Sequence, residues 1–598
     1  MVIPAAPRTT AGAPGRGAAV PRSPLRGAAV LAAYLLLSAL LTIGAWRDPG
    51  GRLVGTAQDA IQHVWFLSWL PFALAHGRDP LLTRYLDHPG PVNLMWNNAT
   101  PLLALLAAPL TVTLGAVVAY AALLTGAVVA SAFSAYLLAA RLVRHRMAAV
   151  VAGLAYGFSP YVVAQATGAH LPLVTICGPP LLALCVHELV ARRRARPGRV
   201  GLAAGVVLAA QLLTSEELLL TEALMGLLLC AWLALTHPGA VRRGAGRCLG
   251  AAPVAVVTFA VLAALPLLVQ LDGPARLGQG PVQPSGRYVA DLLGLVVPTA
   301  VLHFAPAGAV HLTTRFTANL SEWDAYLGVP LLALALAAPL ILRRGWAWAA
   351  AAVGAAALVL ALGPVLHVGG RPVGVPLPWS WLGRLPGYRD VLPDRLTVYA
   401  FLAAALLLAG LCDRCRHLPA RRWGWAASLG LAAAALLPLL PRGPLVSEAA
   451  RVPAFFRTAA VHRWAPGRVV EVVPVAWGPD DQAMLWQAAS GMRFALPTGY
   501  ILHPGPHGAA IADPPGSPLS SVLRAAQAGD PTRLPPLALR RLRRQLAGLR
   551  AEAVVVGPMR GRAAAAALVT RLLGRPPLSR GGVLVWMPAG EPPARPAG

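Results

Sequence analysis

Long apolar runs, separated by short clusters of arginine, constrain this chain more than any other feature. Several approach the roughly 20 residues that a helix needs to cross about 30 Å of hydrocarbon. With 57% of residues hydrophobic and only 12% charged, one soluble core cannot take up the whole chain, and a polytopic helical membrane protein is expected. The formal charge of +28 would suggest nucleic acid in a soluble protein. Here every basic residue other than histidine is arginine, and the arginines sit between apolar runs, where they read as topology signals. Nucleic acid is therefore not an expected partner.

The arginine clusters orient the chain. Residues 1–26 carry Arg8, Arg16, Arg22 and Arg26 among Pro, Ala and Gly, and read as a disordered basic cytoplasmic tail. A first span from Gly27 to Ala45 runs outward. Pro101 to Leu114 is short for a span and contains two prolines, so it is expected along the interface, whereas Ala116 to Ala140 is long enough to cross. Further spans are expected near 147–166, 172–191, 200–214, 218–236, 249–271, 326–342, 346–363, 395–412 and 423–440. Their alternation puts Arg141, Arg144 and Arg146 inside. The same count places inside the clusters around Arg192–Arg199, Arg242–Arg247, Arg343–Arg344 and Arg414–Arg422. The expectation is about eleven transmembrane helices, with the N-terminus cytoplasmic and the C-terminus outside.

The transmembrane domain then covers residues 27–441, with external loops 46–98, 272–325 and 364–394. Residues 442–598 read differently, with strand-like runs at Arg468–Val473, Ala553–Val556 and Val583–Trp586 and a basic helix at Leu537–Arg550. That pattern predicts an external soluble α/β domain. None of the six cysteines falls in the long loops, so no disulfide framework is expected, and Cys412-x-x-Cys415 lacks the second pair of a zinc site.

Carboxylates near hydrocarbon are costly, and such residues usually face a polar cavity that marks function. The first external loop carries Asp59, His63, Trp65, Asn97 and further polar residues. Glu216 and Glu217 stand at the outer end of one span, Glu222 lies about one turn farther in, and Glu322 and Asp324 precede another. Together these are candidates to line the outer mouth of one cavity. Asp59 also fits as the cap of a helix from Ala60 to His76, a role compatible with that of a base. His63 falls on the same helical face and is placed to orient Asp59 or meet a phosphate. No third ligand accompanies the pair, so no metal site is assigned, and dependence on a divalent metal stays open. Arg389 and Arg395 flank a proline-bounded turn before a span. They suit a lipid-linked phosphate as a bidentate clamp, or simply pair with Asp390 and Asp394.

The stretch Gly55-Thr-Ala-Gln-Asp59-Ala-Ile-Gln-His63-Val-Trp65 is similar in placement to the acidic motif of the GT-C superfamily of integral-membrane glycosyltransferases. That group includes protein O-mannosyltransferases and aminoarabinose transferases. Pro101–Leu114 resembles its interfacial helix, and the likeness is strongest over residues 27–200. One acid stands here where several of those families show an Asp-Glu pair. The resemblance implies a polyprenyl-phosphate sugar donor, an envelope glycan, lipid or protein acceptor, no required cofactor, and inverting transfer with Asp59 as general base. Arg389 or Arg395 would then steady the departing phosphate. A transporter or flippase of a lipid-linked precursor is the alternative, since intramembrane acids also couple protons. A non-catalytic envelope assembly protein is a further one.

Overall fold

The computed structural model describes residues 24–191, 196–278, 283, 286–418, 421–464, 467–478, 480–505, 508, 510–512, 517–530 and 534–587. The expected cytoplasmic tail up to residue 23 and Arg192, Arg193 and Arg194 lie outside the described residues.

Among the described residues, six helical segments are long and apolar enough to cross a membrane: Ala116–Leu142, Arg146–Thr167, Leu171–Ala191, Glu216–Thr236, Pro238–Asp272 and Pro393–Cys415. Shorter apolar helices stand at Gly27–Leu41, Pro101–Leu114, Pro197–Leu212, Val329–Leu342 and Gly345–Ala361. The chain is a multi-pass membrane protein. The segment Pro393–Cys415 is almost wholly buried at the centre of the bundle, whereas Pro238–Asp272 turns Val256, Val261 and Leu265 outward. A helix that exposes large apolar side chains along its length is solvated by lipid.

Two expected spans prove to be broken. The segment after Arg146 stops at Gly157 and restarts at Pro160, where Ser159 caps the new helix and proline occupies a position whose N–H needs no partner. The next segment consists of a short turn, Leu171–Val174, and a helix beginning at Gly178 and Pro179. Gln165 stands near the end of the helix Pro160–Thr167, and His170 caps the short turn that follows. The first helix ends at Leu41, earlier than expected, and is followed by a separate turn, Ile43–Trp46.

In the first long loop the helix Ala57–Ala75 lies against Pro101–Leu114 on one side and Gln482–Ala489 on the other. It starts three residues earlier than expected, with Thr56 at the cap position, so Asp59 sits within the first turn instead of capping it. An acid there still meets the positive end of the helix dipole.

The C-terminal part forms a five-stranded mixed sheet in the order Leu578–Arg580, Val583–Trp586, Ala553–Val556, Arg468–Val473, Phe494–Ala495. Arg468–Val473 runs parallel to both neighbours, and the two strands beyond Ala553–Val556 are antiparallel. One face buries Val470, Val472 and Phe494 in the same core as Trp65 and Leu86 of the first loop. The other face packs Val473 and Val556 against helices Pro518–Ala528, Pro536–Gly548 and Arg562–Leu573. The join is also polar. Strand Arg52–Val54 pairs antiparallel with Ser447–Ala449. Asn97 accepts from Leu502 N at 2.6 Å and donates to Leu502 O at 3.2 Å.

Candidate functional site: a carboxylate, histidine and arginine network

The close approach of two loops sets up the site. Gly55 adopts φ +83°, and a Cβ there would lie 2.7 Å from Ala166 O and 2.9 Å from Ala169, so only glycine lets residues 55–56 seat on the turn after Thr167. Thr56 N donates to Thr167 O at 3.0 Å, locking the start of the Asp59 helix to the turn that carries His170.

Asp59 Oδ2 then stands 3.2 Å from His170 Nε2. On the other side of the ring, His170 Nδ1 lies 2.5 Å from Gln165 Oε1 and 3.8 Å from Glu322 Oε1. The Gln165 amide nitrogen donates to Glu322 Oε2 at 3.1 Å and Asp324 Oδ2 at 3.0 Å, which turns its carbonyl toward His170. Both ring nitrogens thus face acceptor oxygens.

Glu322 is the hub of the buried part. Arg395 donates to it from Nη2 at 2.7 Å and from Nε at 3.3 Å, and reaches Glu217 through Nη1. Thr397 Oγ1 donates to Asp324 Oδ1 at 2.9 Å. Asp394 is buried alongside and accepts from Arg395 N at 3.0 Å. The 3-10 turn Pro393–Leu396 supplies Asp394 and Arg395 at the N-terminal end of the central helix. The turn Leu320–Glu322, capped by Asn319, supplies Glu322.

These contacts set the charge states. Burial alone raises the Asp59 carboxyl, but the hydrogen bond and charge of His170, with a hydrogen bond from Tyr500, hold it below its ordinary range. Burial likewise opposes ionisation of Glu322, yet Arg395 and His170 bring it down to about 2. Asp324 is pushed well above the usual carboxylate range by burial and by Glu322 beside it. His63, fully buried, is lowered to about 4 by loss of solvent, so it is uncharged at neutral pH.

The expected site residues divide accordingly. Glu217, Glu322, Asp324 and Arg395 join Asp59 in one network. All three guanidinium nitrogens of Arg395 are taken by carboxylates, which departs from the expectation that it is open to phosphate. Arg389 lies apart, 3.4 Å from Asp390 and 30% exposed. Glu216 turns away to accept from Gln270 at 2.5 Å, and Glu222 is buried deeper, near Gly178 and Gln211. His63 stacks 6.3 Å from the Tyr120 ring and does not touch Asp59 through a hydrogen bond; that contact belongs to His170. Trp65 donates to Gln487 Oε1 at 2.5 Å, so it and Asn97 spend their polar groups on the join to the C-terminal part. Gln165, His170 and Thr397 were not expected. His170 carries one signal in the sequence: it sits between two spans on the same side as Asp59.

Among the described residues one further group, His145, Asp413 and His417, has the spacing of metal ligands at the opposite end of the central helix. Asp413 Oδ1 already accepts from Arg144 N, His145 N and His145 Nδ1, tying the loop before helix Arg146–Gly157.

The family described as Domain of unknown function (DUF6311) matches residues 29–386, more than half of the chain. The chain belongs to that family. No curated protein matches it. Its structure is similar to arabinofuranosyltransferase AftD from Mycobacteria, with a TM-score of 0.51 and 17% identity, over 94% of this chain and 40% of that one. The chain therefore spans about two fifths of that protein's length. It is also similar to the oligosaccharyltransferase of Archaeoglobus fulgidus, with a TM-score of 0.47, 14% identity, and 88% and 69% coverage. ArnT from Cupriavidus metallidurans, bound to undecaprenyl phosphate, gives a TM-score of 0.43, 12% identity, and 94% and 97% coverage. The likeness to AftD shows the fold: the family member described here has the GT-C fold.

Proposed function

We propose that this chain is a membrane glycosyltransferase that moves a sugar from a polyprenyl-phosphate donor to an envelope acceptor, with Asp59 as general base. The observation that carries the reading is the Asp59 carboxylate itself. It is kept ionised by His170 on a helix head beside the membrane and is still 25% exposed, so a hydroxyl can reach it. The GT-C fold, seen in an arabinofuranosyltransferase, supports the reaction class.

In this reading the acceptor hydroxyl gives its proton to Asp59 as its oxygen attacks the anomeric carbon. The bond from that carbon to the donor phosphate breaks, and polyprenyl phosphate leaves with inversion at carbon. Arg389 steadies the phosphate charge, while Arg395 holds Glu217 and Glu322 in place and so keeps Gln165 and His170 aimed at Asp59. About eleven spans, an internal N-terminus and an external domain at 442–598 complete the proposal.

The test compares envelope glycans and glycolipids by mass spectrometry in wild type, a deletion, and the deletion carrying Asp59→Asn at matched protein level. Loss of one sugar-sized mass in both altered strains is expected. Full restoration by Asp59→Asn would remove Asp59 from the chemistry.

A further inference from the structure

A cavity of about 690 Å³ lies on the far side of the Asp59 helix from the site. Val64, Ser68, Pro71, Phe72 and Ala75 face it at helical spacing, and Asp59 lies roughly half a turn round from that stripe, so the reaction makes no use of this space. Its other walls come from the Asp48–Gly51 loop, the junction between Pro101–Leu114 and Ala116–Leu142, and the region around Leu485 and Met492.

The lining mixes two chemistries. Val112 and Leu114, 74% and 59% exposed, line it where helix Pro101–Leu114 meets helix Ala116–Leu142. Arg457 lines it too, exposed, with no ion pair among the described residues. Asp48 shares the rim but turns its carboxylate back over Gly51. Exposed apolar side chains and a guanidinium lining the same space match an amphiphile with an anionic head. The volume suits a headgroup, its glycerol and the first part of a chain, since cavities of about 300–1,000 Å³ hold drug-sized ligands.

We infer that this cavity is a binding site for an anionic phospholipid of the leaflet on the Asp59 side, with its phosphate on Arg457 and its chain leaving past Val112 and Leu114. The site stands independently of the glycosyl-transfer reading.

The experiment uses the full chain, purified in detergent and incubated with equimolar dioleoylphosphatidylglycerol and dioleoylphosphatidylcholine, with retained lipid read by native mass spectrometry. Preferential retention of phosphatidylglycerol is expected. Ala489→Trp, which fills the cavity from an exposed position, should abolish that retention. Arg457→Gln should cut the preference by about tenfold, while Arg457→Lys keeps most of it. Equal retention of the two lipids, retention of neither, or a preference unchanged in both Arg457→Gln and Ala489→Trp would overturn the assignment. So would complete competition by soluble glycerol phosphate, which would identify a phosphate site that needs no lipid chain.

Discussion

Asp59 is acidic enough to stay ionised only because of its company. Burial works against the charge, and the neighbouring groups, His170 first among them, together more than offset it. Removing the imidazole therefore raises the Asp59 carboxyl, and the acid limb of the activity profile should move to higher pH in His170→Ala, with activity at neutral pH reduced. An initial-rate pH profile in proteoliposomes checks this, and an unmoved limb would mean that His170 does not act on Asp59. Glu322 follows the same sign. Its folded value of about 2 lies below the ordinary 4.5, so its ion pairs stabilise the fold above pH 4.5, and that contribution is lost as pH falls from 4.5 toward 2. In the sequence Asp59 is legible because an acid just beyond a first span is conspicuous. His170 is less so, because a histidine between two apolar segments has no partner visible along the chain.

The turn Pro393–Leu396 and the turn Leu320–Glu322 meet through one guanidinium, so each element holds the other. Arg395→Met would leave Glu217 and Glu322 without their cation in a buried setting. Breaking such a pair costs about 3–5 kcal/mol, which should appear as a large fall in melting temperature in detergent. Adding Glu322→Gln to Arg395→Met should recover part of it, because the second change removes a stranded charge. A fall no larger than that of a surface arginine variant would show that the pair is not holding the turns. The helices themselves were legible from apolar length, and Pro101–Leu114 forms a helix over the expected residues. The breaks at Ser159–Pro160 and before Gly178 were not, because the apolar run continues across them while the backbone does not.

For the whole molecule, the decisive contact is the seating of the C-terminal sheet on the first loop. Gln487 accepts from Trp65 and donates to Tyr85 O and Phe494 O at 2.9 and 2.6 Å, and Tyr500 from the same part reaches Asp59. Gln487→Leu leaves these buried groups unpaired at a cost of about 1–3 kcal/mol each, so both melting temperature and transfer activity should fall together. Thermal melts paired with a transfer assay test the link. A destabilised variant with full activity at a temperature where it stays folded would separate the sheet from the site.

By itself the sequence determined the membrane class, the positions of the apolar helices, the strands Arg468–Val473, Ala553–Val556 and Val583–Trp586, and the prominence of Asp59. Those are local properties: apolar length, two-residue alternation and an acid out of place each show within a short window. Only the tertiary structure decided that Arg395 serves carboxylates, that Trp65 and Asn97 bind the C-terminal part, and that His170 and Tyr500 meet Asp59. Each of those outcomes depends on residues far apart in the chain arriving within hydrogen-bond distance, and no spacing along the sequence encodes that arrival.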